Sequence, residues 1–259
     1  MTIKVLGTLD VRYGDAPIVP QAGKPKQVLA LLALRCGHVV STAQLMDEIW
    51  GDDLPRSAAT TLQTYILQIR RMIAQAGGEP RHVLRSSHGG YMLLADGWQD
   101  VAEFESLGAR GAAALESGNP AAASPLLGRA LTLWRGPALT GVSVGRVLEP
   151  EQIGLEEARM HTVEQRIEAE LRQGRNGSLV PELRRLVAAY PMNENLAGQL
   201  MRALAGCGQT SRALDVFQQL RDTLVGELGI EPSPRSQRLH QAVLAGVEPL
   251  NHAALAVIG

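Results

Sequence analysis

Cysteine, lysine and aromatic residues are scarce in this 259-residue chain, and each scarcity narrows what the protein can be. Cys36 and Cys207 lie far apart, with no CxxC or Cys/His spacing around them. That excludes a disulfide framework or a zinc module and leaves two reduced core cysteines as the expectation. No apolar run approaches the length of a transmembrane helix, and the opening MTIKVLGTLDVRYG meets charge and glycine too early for a secretory signal, so a cytoplasmic protein without membrane contact is expected. The phosphate loop GxxxxGK[ST], the metal motif HExxH and the GxSxG elbow are all missing, and the six histidines are scattered. An enzyme is not expected, nor a cofactor or metal. With only three lysines and a net charge of -1, a surface coated in positive charge is also excluded.

What charge there is has a pattern. Residues 56–85 carry five arginines (Arg56, Arg70, Arg71, Arg81, Arg85) against one acid, Glu79. One positive stretch in a near-neutral chain is what a single nucleic-acid face would leave, although most charge runs are simply solvated.

The apolar pattern changes character near residue 97, and two domains are expected, 1–97 and 98–246, with a tail at 247–259. The fold class is mainly α with a small β component. Ile3-Lys4-Val5-Leu6 and Leu9-Asp10-Val11-Arg12-Tyr13 alternate between glycines and read as a small antiparallel sheet. Lys26 begins a nearly buried helix that stops by Gly37, and Ser41 caps a second helix that ends at Gly51. A third helix is expected from about Ser57 to Ala76. Its core stripe is Leu62, Tyr65, Ile66, Ile69 and Ile73, and its opposite face shows Thr60, Thr61, Thr64, Gln68 and Arg71, with no acid along its length. Val83-Leu84-Arg85 and Tyr91 to Leu94 then flank a polar tip, Ser86 to Gly90, as a hairpin. Three helices and a hairpin make the winged helix-turn-helix order. Hydroxyls, amides and guanidiniums on an acid-free face suit base edges and phosphates in a major groove.

From Asp100 to about Gly246 the chain reads as amphipathic helices with short breaks. Leu179, Leu183 and Leu186 recur as Ala213, Phe217 and Leu220, displaced by the 34-residue tetratricopeptide period, and Ala123, Leu127 and Ala130 share the internal spacing. Degenerate tetratricopeptide-like helix pairs are therefore expected in an all-α second domain. The acids Glu149, Glu151, Glu156 and Glu157 read as the solvated start of a long helix.

The segments DEIWGDDLPRSAAT, TLQTYILQIRRMI and VLRSSHGGYML, with KPKQVLALLAL before them, resemble the OmpR-type winged helix of the Streptomyces antibiotic regulatory proteins. DVAEFESL, LTLWRGPAL and ELGIEPSP resemble that family's bacterial transcriptional activation domain, so the likeness runs through both halves. It implies a transcription activator of an antibiotic or other secondary-metabolite gene cluster, bound to direct repeats in double-stranded DNA by head-to-tail self-association and recruiting RNA polymerase, at the nucleoid. Carried over, it puts Thr61, Gln63, Thr64 and Gln68 near base edges and Thr60, Tyr65, Arg70 and Arg71 near phosphates, and Lys24, Lys26 and Arg85 lie where further phosphate contacts are expected. Arg70 fits least well, since helical spacing sets it on the flank of the core stripe. Many OmpR-type wings carry an arginine at the tip, where this chain has Ser87 and His88. The loop Gly51 to Arg56 falls where such activators meet polymerase, which makes Asp52, Asp53, Leu54 and Arg56 candidate contacts, with Trp50 as a further apolar anchor. The expected form is a short one, with neither a receiver domain before the winged helix nor an ATPase module after the helices. A repressor or architectural DNA binder using the same fold, or a scaffold that has lost DNA binding, are the alternatives.

Overall fold

A computed structural model describes residues 1–246, and the tail expected at 247–259 lies outside the described residues. The fold is mainly α with small sheets, a winged helix-turn-helix followed by paired helices. Two compact units form, one of Met1–Gly108 with Arg129–Met160, the other of Ala109–Gly128 with the described residues from His161.

In the first unit, β1 (Thr2–Lys4), β2 (Asp10–Tyr13) and β3 (Ala16–Pro17) make an antiparallel sheet in which Ile3 pairs with Val11, both buried. Helix α1 (Gly23–Leu34) starts before Lys26 because Pro25 falls in the first turn, where its missing N–H costs no bond. Helix α2 (Thr42–Trp50) opens on a capping box in which Gln44 N donates to Ser41 Oγ and Ser41 N to Gln44 Oε1, both at 3.1 Å. Helix α3 (Ala58–Gln75) buries Leu62, Ile66, Ile69 and Ile73. A short α4 (Pro80–Val83) leads into the wing. The wing has three strands in the order β4-β6-β5: β4 (Val40–Ser41), β5 (Leu84–Ser87) and β6 (Gly90–Leu93). The sequence pattern misses β4, since two residues are too few to show alternation. Gly90 permits its approach, as a Cβ there would run into the Val40 carbonyl.

Beyond residue 97 come α5 (Asp100–Glu116), α6 (Pro120–Thr132), an irregular stretch over 133–147, and α7 (Leu148–Arg172). In the second unit α8 (Asn176–Ala189), α9 (Glu194–Gly206), α10 (Thr210–Leu228) and α11 (Pro234–Leu244) pack in succession. Leu179 and Leu183 of α8 are buried like their counterparts Ala213 and Phe217 of α10, whereas Leu186 is only half-buried opposite the buried Leu220. This is the 34-residue displacement seen as helix pairing. The cysteines correct one expectation. Cys36 is only half-buried, and Cys207 caps the end of α9 in an exposed position, so neither is a core residue.

Two buried carboxylates tie later chain into the first unit. Asp100, 1% exposed, accepts Val5 N and Leu6 N at 2.9 Å on one oxygen, with Arg135 Nη2 at 3.4 Å from the same atom. Residues 135–140 run beside 5–8, where Arg135 N donates to the Leu6 carbonyl and Leu139 N to that of Val5, each at 2.9 Å. Glu48 of α2, 2% exposed, accepts Gly145 N (2.6 Å), Val147 N (2.9 Å), Leu148 N (2.8 Å) and Gln27 Nε2 (2.8 Å). It thereby satisfies the free amides that open α7 and answers the positive end of that helix. Gly145 is needed for this approach, because a Cβ would collide with the Glu48 backbone carbonyl.

Glu48→Gln keeps the shape but sets an amide group against amide donors in a dry site, and is expected to cost about 2–4 kcal/mol. Trp50, Trp98 and Trp134 all belong to the first unit, so tryptophan fluorescence during urea unfolding of the whole chain reads this loss directly. An unchanged midpoint would mean that the Glu48 bonds do not anchor the segment.

Candidate nucleic-acid interface

The amphipathicity that buries one stripe of α3 leaves the other facing outward. Thr60, Gln63, Thr64, Leu67 and Arg71 are exposed there, flanked by the half-exposed Thr61 and Gln68. No acid lies anywhere on the helix. Thr64 Oγ1 donates to the Thr60 carbonyl at 3.1 Å, which leaves its oxygen free to accept.

The neighbouring arginines divide. Arg71 is exposed, whereas Arg70 turns to the wing and donates through Nε (3.1 Å) and Nη2 (2.8 Å) to the Leu84 carbonyl and through Nη2 to Ser86 Oγ at 2.9 Å. That fork braces β5 against α3. Arg85, Ser87 and His88 are exposed on the wing, and its turn is fastened where Thr42 N and Oγ1 donate to the Gly89 carbonyl at 2.8 and 3.1 Å.

Tyr65 is half-buried and stacks on Trp50, with ring centroids 6.4 Å apart, and Lys24 Nζ lies 5.3 Å over the other ring of that pair, Trp50. Lys24 is exposed at the start of α1, which has no side-chain cap. Lys26 is half-buried and reaches the Gly141 carbonyl at 3.4 Å.

The loop from Gly51 to Arg56 exposes Asp52, Asp53, Leu54 and Arg56. Asp52 forms a two-pronged ion pair with Arg146, whose hydrogen bond first and charge second hold its carboxyl below the usual range. Sequence reasoning missed Arg146 as the partner of this loop, 94 residues away, and no local signal could have shown it. Leu67 was also passed over, although the same helical spacing that exposes Thr64 and Arg71 exposes it too.

Residues 19–93 match the family model described as Transcriptional regulatory protein, C terminal, and residues 99–244 match Bacterial transcriptional activator domain. Regulatory protein DnrI of Streptomyces peucetius is 48% identical over 94% of this chain and 92% of its own length. The chain belongs to the Streptomyces antibiotic regulatory protein family. Transcriptional regulator RedD of Streptomyces coelicolor is 34% identical, with 94% of this chain and 70% of that protein covered. Regulatory protein AfsR of the same species is 36% identical over 86% of this chain, which spans only 22% of it. A solved structure of Mycobacterium tuberculosis EmbR in complex with a low affinity phosphopeptide superposes with a TM-score of 0.90 at 29% identity, over 98% of this chain and 69% of that one. This is a family of transcription activators with a DNA-binding winged helix, not of enzymes. Among the described residues no helix is long and apolar enough to cross a membrane, and no group of His, Cys, Asp and Glu is placed to hold a metal ion.

The Arg70 fork generates a test. Arg70→Lys keeps the charge but cannot span both acceptors, so amide hydrogens over 84–87 are expected to exchange about tenfold faster or more, a loss of about 1.5–3 kcal/mol for bonds to a charged donor. Equal exchange in both proteins would show that the guanidinium does not brace the wing.

Proposed function

We propose that this protein activates a secondary-metabolite gene cluster, working in the cytoplasm at the nucleoid, by laying α3 in the major groove of direct repeats and presenting the loop after α2 to RNA polymerase. The observation that carries the reading is the outward face of α3, polar apart from Leu67, free of acid and without a duty in the core. The names of the relatives support the biological setting. Thr61, Gln63, Thr64 and Gln68 read base edges in this scheme. Arg71, Arg85, Lys24 and the uncapped start of α1 meet phosphates, which anchor without specifying. Thr60 and Lys26 stand close enough to assist. Arg70 and Tyr65 act through the wing and through Trp50 rather than by reach of their own. Ser87 and His88 give the wing tip polar contacts without a guanidinium for the minor groove. Direct repeats require the protomers to stand head to tail. The boundary between DNA reading and activation is proposed near residue 97.

Footprinting of the full chain on DNA selected from a random pool tests the scheme at its base, and protection should fall on two sites in the same orientation. On that site Gln68→Ala is expected to lose about 1–3 kcal/mol and to relax preference at one base pair. An equal loss on random DNA would remove Gln68 from the readers. Arg71→Ala should weaken every sequence and lower the slope of log affinity against log salt by about 0.9, whereas Arg70→Lys should leave that slope alone.

Within the loop Asp52 is already engaged by Arg146. That leaves Asp53 and Arg56 as charges and Leu54 as the apolar contact, in the pattern of an anchor ringed by polar groups. Asp53→Ala combined with Leu54→Ala is expected to leave operator affinity intact and to reduce transcription by purified polymerase. If affinity and transcription fall together the loop serves the DNA-binding fold, and if neither falls the contact lies elsewhere.

A further inference from the structure

Leu67 is the one large apolar side chain on α3 that stands exposed, at 52%. It does not sit at the margin of the helix. At about 100° per residue it falls within about 40° of both Thr60 and Arg71, so it shares the outward stripe with them and with Gln63 and Thr64. The core side is filled by Leu62, Ile66, Ile69 and Ile73, each 1% exposed or less, and the helix has no need of a fifth leucine or isoleucine turned to water. Exposed leucines are common enough on protein surfaces to need no cause. This one is bracketed by hydroxyls, an amide and a guanidinium on the face that meets DNA.

A leucine has nothing to offer a phosphate or the hydrogen-bonding edge of a base. Among the groups that line the major groove, one is apolar and projects into it, the C5-methyl of thymine. We propose that Leu67 is a specificity-determining residue that reads the methyl group of one thymine in the binding site. The proposal rests on the reading of α3 as the major-groove helix. Burial of methyl against isobutyl removes apolar surface on both partners from water, and uracil or cytosine at that position lacks the group that makes the contact favourable.

Replacing thymine by deoxyuridine deletes that methyl and leaves base pairing intact. The experiment takes the full-length protein, a site selected from random double-stranded DNA, and a set of duplexes each with one thymine changed to deoxyuridine. One position is expected to lose about 3- to 10-fold in affinity with the wild-type protein. Leu67→Ala should bind the thymine site more weakly by a similar factor and bind the thymine and deoxyuridine duplexes equally. Its affinity for random DNA and its salt slope should match wild type, which also certifies that the exposed substitution has not disturbed the fold. A site at which no deoxyuridine weakens binding, or a Leu67→Ala protein that keeps the full preference for thymine, overturns the proposal while leaving the major-groove reading in place. Failure of the selection to enrich any sequence overturns both.

Discussion

A carboxylate in the dry interior helps hold later chain in the unit that carries the winged helix. Glu48 accepts three backbone amides at the opening of α7 and the amide of Gln27, and with so many donors around it the charge is compensated in place. Asp100 does the same for the amides after β1. Together with the backbone bonds of residues 135–140 to 5–7 they help hold residues 98–108 and 129–160 in one unit with the winged helix, which ends at residue 93. The family models divide the chain between 93 and 99, whereas the packing does not. Sequence families follow shared motifs, while compactness follows where buried polar groups find their partners.

The same economy separates two neighbouring arginines on α3. One turn of 100° sends Arg70 toward β5 and Arg71 toward solvent. The first is spent on bracing the wing, so its charge is partly answered by a carbonyl and a hydroxyl before any DNA arrives. The second keeps its full field. Identical side chains side by side therefore divide architecture from electrostatics, and the division is set by helical phase alone.

That phase is what made much of the molecule legible in advance. The core stripe of α3, the cap at Ser41, the stop at Gly51 and the 34-residue echo between α8 and α10 are local patterns with one physical reading each, and they are present except that Tyr65 in the stripe and Leu186 in the echo are only half-buried. Strand β4 was too short to leave a period. Residues 133–147, with Gly136, Pro137, Gly141 and Gly145, announce a break in the helices, but nothing in them says that they run beside β1 or close over Glu48. Partners about a hundred residues apart, such as Glu48 and Leu148 or Asp52 and Arg146, leave no mark in either neighbourhood. Of the candidate site, the outward residues of α3 could be named from spacing. The turning of Arg70 to the wing, the stacking of Tyr65 on Trp50 and the pairing of Asp52 could not.

Among the described residues the outward stripe of α3 stands exposed and packs against no other element, and this has an evolutionary consequence. Thr60, Gln63, Thr64, Leu67 and Arg71 can change with little penalty in folding, since surface substitutions away from caps and cores usually shift stability by no more than about 0.5 kcal/mol. With α3 in the major groove as proposed, a lineage could thus acquire a new target sequence by drift along one helix face while Glu48, Asp100 and Arg70 stay fixed. Duplicated copies of such a gene would be free to diverge in what they address before they diverge in how they are built.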